Sequence, residues 1–137
     1  MAVTLEQPAR ARLITREGRE RALPVTLRYV AADPLAVQIV FPPEASLDGA
    51  EVTWIFARQL LEDGLRAPAG GGDVHVWPCG RARTVLEFHA PQGLALVQFD
   101  REVLRRFLLR TYAVVGAGSE AEGLGLDQDL ARLLGGV

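Results

Sequence analysis

The sequence predicts a mainly β (α+β) fold: about seven strands in an antiparallel barrel-like sheet or sandwich, with two to three helices added. Three observations lead there. Seven segments in the first hundred residues alternate apolar and polar positions, the period-two pattern of strands buried on one face. The connections carry turn chemistry, as in "ADP" at 32–34, "PPEASLDG" at 42–49 and "APQG" at 90–93. Helical spacing dominates only after the last strand.

The elements follow in chain order. The segment 9–15 turns Arg10 and Arg12 outward and Ala11 and Leu13 inward. Val25, Leu27 and Tyr29 share a face, as do Val37, Ile39 and Phe41 in the next segment. Val52, Trp54 and Phe56 line a fourth, and a short helix over 57–63 follows, ended by Gly64. "APAGGGDVHVWP" at 67–78 places Val74 and Val76 opposite Asp73, His75 and Trp77. Leu86 with Phe88, and Ala95 with Val97 and Phe99, complete the strands, and the short 90–93 connection makes this last pair a hairpin. Asp100 is placed to cap a helix running to about Val115, with Val103, Leu104, Phe107 and Leu108 as its apolar stripe. Asp127 can cap a final helix carrying Leu130, Leu133 and Leu134.

Composition limits the chemistry. The 137 residues fit one domain, 1–137, with 49% hydrophobic and 23% charged residues. No apolar run reaches the length of a membrane span and the first residues lack an apolar signal core, so a cytoplasmic protein is expected. One cysteine, Cys79, rules out an internal disulfide and a multi-thiolate metal site. All 15 basic residues are arginine, so a Walker lysine, a Schiff-base lysine and a Ser–Lys dyad are impossible. The net charge of −2 is unevenly spread: residues 1–32 carry six arginines against three acids, and residues 116–137 carry four acids against Arg132.

Three readings compete for the glycine run at 70–72. A phosphate cradle needs glycines directly before a helix, whereas these lead into strand spacing that ends in a proline. A metal half-site is open to Asp73 and His75, with Glu87 and His89 joining if their strands pair, against the plainer reading of exposed polar positions on a half-buried sheet. A turn feeding a strand satisfies every residue. Elsewhere, Ser46 and Ser119 lack a nucleophile elbow, and a Cys79–His75 pair is the remaining nucleophilic option. No catalytic residue, metal or cofactor is expected. Arg101, Arg105, Arg106 and Arg110 line the outer side of the long helix, where nucleic acid, an acidic partner or solvent can face them. Trp77 is the main exposed aromatic for stacking on bases.

The order of motifs is more specific than any one of them. "DPLAVQIVF", then "WIFARQLLEDGLRAPAGGGDVHVWP", then "LGLDQDLARLL" resembles the SsgA/SsgB-like sporulation and cell-division family of actinomycetes over about residues 10–134. Leu35 stands where the family usually has an aromatic, Gln59 replaces an acid, and "LRYVAA" also departs, as in a divergent paralogue. The resemblance implies a Whirly-like fold assembled as a homotrimer. It also implies a non-enzymatic role in septum-site selection or septal wall synthesis and remodelling, with FtsZ or another SsgA-like protein as partner at the division septum. It brings no catalytic residues. Asp33, Pro34, Trp54, Phe56, Ala57, Gly72, Asp73, Trp77 and Pro78 fall on family positions and read as architectural. Arg58 also falls on one, but a helix start offers it nothing, so an ion pair or a partner interface is expected there. The alternative is a single-stranded nucleic-acid binder on the same fold.

Overall fold

A computed structural model of the chain describes residues 3–45, 49–91 and 93–120. Seven strands are present among them: β1 (Thr4–Ile14), β2 (Glu20–Val30), β3 (Ala36–Phe41), β4 (Val52–Ala57), β5 (Val74–Cys79), β6 (Arg83–Ala90) and β7 (Gly93–Asp100). Two helices, α1 (Arg58–Gly64) and α2 (Arg101–Val114), and a 3₁₀ turn at Pro43–Ala45 accompany them. The final helix expected around Leu130, Leu133 and Leu134 lies outside the described residues.

The strands form one antiparallel sheet in the order β4-β3-β2-β1-β7-β6-β5. The inward positions read from alternation are the core. Leu27, Tyr29, Val37, Ile39, Val76, Leu86, Phe88, Val97 and Phe99 are all buried, and each buried Leu or Phe contributes about 1.5–3 kcal/mol relative to exposure. Curling brings the two ends of the sheet together. The Phe88 ring of β6 meets Phe41 at 5.6 Å, Trp54 at 5.0 Å and Phe56 at 6.3 Å, although β4 and β6 lie far apart in strand order. A flat sheet would leave these aromatics exposed; the half-barrel removes them from water.

β1 begins five residues earlier than its alternation indicates. Its first half pairs with β2 on one side, while β7 pairs only with Arg12–Ile14. Pro8 is therefore accommodated where β1 has a single strand neighbour. Helix α2 lies over this stretch: the Gln7 side chain donates to the Val103 carbonyl at 3.4 Å and accepts from Arg110 at 2.8 Å. Leu104, Phe107, Leu108 and Thr111 of α2 are buried, with Val103 packed beside them.

Two local expectations are corrected. Asp100 is the N-cap residue of α2 by position but makes no side-chain cap bond; its carboxylate instead faces Arg12 at 3.4 Å. Gly64 is no left-handed cap. It is the last residue of α1, and a Cβ there would stand 2.2 Å from Val76 Cγ1. Glycine at 64 lets α1 lie against β5.

The glycine run is a turn. Ala69 and Val76 exchange both backbone hydrogen bonds, at 2.8 and 2.9 Å, closing a loop over 70–75. Only Gly70 is demanded by it: φ is +114°, and a Cβ would meet the Val74 carbonyl oxygen at 2.4 Å. Cβ atoms at Gly71 and Gly72 would meet open space.

Candidate functional site

Arg58 shows most plainly how side chains distant in sequence converge. It leaves β4 at the first position of α1, where the helix dipole opposes a cation. Its guanidinium instead serves the other helix. Nη1 donates to the carbonyls of Thr111 at 3.2 Å and Val115 at 2.7 Å, both at the C-terminal end of α2. The Thr111 carbonyl also accepts the Val115 N–H at 2.9 Å, the last backbone bond of α2; Val115 lies beyond the helix, and a cation at this end is favoured. Nη2 donates to Glu120 at 2.6 Å. The guanidinium carbon lies 4.1 Å from the Tyr112 ring centroid and 5.1 Å from that of Tyr29, so two aromatic faces replace lost water.

This arginine is 1% exposed. The ion pair expected from sequence is present; the partner interface is corrected, because a buried guanidinium with these internal acceptors presents nothing to another molecule. The Glu120 carboxyl is held below the usual carboxylate range, chiefly by the Arg58 hydrogen bond and then by its own backbone N–H. Tyr29 donates to the Pro34 carbonyl at 2.9 Å, and burial raises its phenol. Tyr112 donates to Glu62 at 3.0 Å; burial first, then this hydrogen bond, push its phenol up to about 12.

A raised tyrosine pKa stabilises the fold below the unfolded value and loses that contribution as pH rises through the folded one. The chain has two tyrosines. Phenolate absorbance should therefore stay low at pH 10 in the native protein, while urea-unfolded chain is about half ionised there. Tyr112→Phe should remove the later-titrating phenol; native and unfolded titrations that coincide would contradict the buried geometry.

The surface arginines fare differently from one another. Arg101 is half-buried and donates to the Leu65 carbonyl at 3.4 Å. Arg105 pairs with Glu102 at 3.1 Å and Arg110 with Gln7. Arg106 is exposed and has no ion pair among the described residues. Arg81, Arg83 and Arg101 line a shallow depression of about 420 Å³, but Asp100 and Glu102 share it and Arg83 also faces Glu20 at 3.7 Å, so its field has no single sign.

On the outer face of β5 and β6, His75 stands opposite Glu87 and Trp77 opposite Val85. The rings of His75 and His89 are 5.1 Å apart, and His89 Nε2 lies 2.8 Å from Glu87. These strands do pair as the metal reading required. Even so, no group of three or more His, Cys, Asp or Glu among the described residues has the geometry to hold a metal ion. The Cys79–His75 pair fails on strand geometry: four residues along an extended chain place them ~13 Å apart. Asp73 settles the strand through its backbone, its carbonyl accepting from His89 N at 2.8 Å. No helix of the described residues is long and apolar enough to cross a membrane.

The family model described as Streptomyces sporulation and cell division protein SsgA matches residues 23–120. Sporulation-specific cell division protein SsgB of Salinispora tropica is 45% identical over 136 residues, covering 97% of this chain and 94% of its own length. A solved SsgB structure, from work relating SsgB mutations to longitudinal cell division during sporulation of Streptomyces coelicolor, superposes with a TM-score of 0.79 at 34% identity. The match covers 89% of this chain and 96% of that one. The SsgA-like sporulation-specific cell division protein of Thermobifida fusca gives the same TM-score at 32% identity over 96% and 95%. The fold likeness and the sequence likeness agree, and this chain belongs to the SsgA family of sporulation and cell division proteins.

Proposed function

We propose that this protein is a non-enzymatic adaptor of sporulation-specific cell division, acting at the septum by recruiting division proteins for septum-site selection or septal wall synthesis and remodelling. The observation that carries this reading is the near-full-length likeness to SsgB, whose mutations correlate with longitudinal cell division in Streptomyces coelicolor. Longitudinal division is an error of septum direction, as loss of a positioning adaptor would produce. FtsZ or another SsgA-like protein is the partner proposed, with the chain assembled as a homotrimer. Arg105, Arg106 and Arg110 on α2, with Arg101 at its base and Trp77 on the outer sheet, are the proposed contacts.

The nucleic-acid alternative is less well served. Trp77 is a single half-buried aromatic on the outer face, whereas single-strand binders stack successive bases on several. Three of the four α2 arginines already have partners within the fold.

The test is genetic and biochemical together. A deletion strain should lose or misdirect sporulation septa, and Arg106→Glu with Arg110→Glu should weaken capture of purified FtsZ by roughly three- to tenfold, more at low salt. Normal septation and normal spore walls in the deletion strain would overturn the proposal.

A further inference from the structure

The sheet has two edges, and they are finished differently. β5 carries Pro78, and its outer side is bridged by Ala69, which exchanges two backbone hydrogen bonds with Val76. Both are ordinary ways of closing an edge. β4 has neither. Its sequence, Val52–Ala57, holds no proline and no charge, and it pairs with β3 alone.

The register shows which backbone groups are free. Arg58 N donates to the Leu35 carbonyl at 2.8 Å, just beyond the Ala36–Ala57 pair. That makes Ala36–Ala57 a non-hydrogen-bonded pair, so Phe56–Val37 and Trp54–Ile39 are the bonded ones. The N–H and C=O groups of Thr53 and Ile55 then point away from β3. No partner takes them among the described residues. Their side chains are exposed on the outer face, Ile55 by 56%, and Leu35 beside the end of the strand is 55% exposed.

The chain around this edge is acidic. Residues 33–65 hold six acids and one arginine, the buried Arg58. Glu44 and Glu51 flank one end of β4 and Asp33 lies toward the other; all three are exposed and without an ion pair among the described residues. An uncharged open edge between carboxylates suits a particular ligand.

We infer that the open edge of β4 accepts an extended segment of a partner protein as an added strand, with β-branched residues in its middle and arginine or lysine at both ends. Thr53 and Ile55 supply up to four backbone hydrogen bonds, the incoming side chains pack beside Ile55 and Leu35, and the end charges meet Glu44, Glu51 and Asp33. This deepens the adaptor reading and rests on it.

The probe is a fluorescein-labelled peptide, Arg-Arg-Val-Thr-Val-Thr-Val-Arg-Arg, titrated with the full chain by fluorescence anisotropy. Saturable binding is expected, at least about tenfold tighter than that of the same peptide ended in glutamates. N-methylation at alternate residues should abolish binding in one phase and leave the other within about threefold, because only one set of N–H groups faces β4. Thr53→Pro should lose binding, since proline removes an N–H that pairs with nothing in the fold. The methylated peptides keep the test decisive if that variant fails to fold. Equal binding of arginine- and glutamate-ended peptides, indifference to both methylation phases, or no saturable binding would overturn the inference. So would self-association abolished by Thr53→Pro, which would assign the edge to a second copy. In sporulating cells, a septation defect on deletion with normal septation in Thr53→Pro would reject the edge site and leave the adaptor reading standing; normal septation on deletion would reject the adaptor reading itself.

Discussion

Arg58→Ala is expected to cost about 3–5 kcal/mol, a large share of the roughly 5–15 kcal/mol that holds a domain together. The Val115 carbonyl loses the Arg58 donor and the Thr111 carbonyl keeps only the Val115 N–H, Glu120 loses its counter-charge, and the space between Tyr29 and Tyr112 is left empty. Arg58→Lys should recover only part, because an ammonium keeps the charge but not the planar fork or the stacking. Urea unfolding followed by tryptophan fluorescence reads both variants, as a lower midpoint at unchanged slope. A loss below about 1 kcal/mol for the alanine variant would mean that desolvating the cation had consumed the gain from its partners. Glu120→Gln examines the contact from its other end. A carboxyl whose folded pKa is depressed contributes stability above its unfolded pKa and loses it as pH falls through the folded one. Wild type and Glu120→Gln should therefore differ in stability at pH 7 and converge in acid, below the usual carboxylate range.

The features legible in the sequence are those with a period. One face of each strand is buried, so Val25, Leu27 and Tyr29, or Val74 and Val76, announce themselves by alternation alone. The stripe on α2 is visible for the same reason, through helical spacing. Family motifs added what periodicity lacks, marking Arg58 as a residue needing explanation. They did not supply the explanation, because its partners sit 53 to 62 residues away, at the end of another helix and just beyond it. Nor could spacing show that Asp100 turns toward Arg12 rather than its own helix, since both choices satisfy a carboxylate. The open edge of β4 was equally hidden: strand order, not strand composition, decides which strand lacks a neighbour. The acids around it were countable in the sequence, but only the register shows that they flank unpaired backbone.

Gly64→Ala is the second large effect, and its sign runs against helix propensity. In an exposed helix this change gains about 1 kcal/mol, and no positive φ forbids alanine at 64. The added Cβ, however, would stand 2.2 Å from Val76 Cγ1, 2.3 Å from its Cβ and 3.1 Å from its backbone carbon. Val76 is fully buried and cannot swing aside. Truncation to Val76→Ala removes the nearest atom but leaves the Cβ contact, so the double variant should recover only part of the loss. Helix α1 must therefore move off β5 by on the order of 1 Å, and overpacking of this kind costs about 1–3 kcal/mol. The displacement reaches Arg58, at the other end of the same short helix, whose acceptors at Thr111 and Val115 lie at the end of α2 and whose partner Glu120 follows it. Gly64→Ala should accordingly cost less in an Arg58→Ala background than alone, a coupling of about 0.5 kcal/mol or more in a double-mutant cycle. Strict additivity would mean that α1 yields locally at residue 64 and that its two ends are anchored independently.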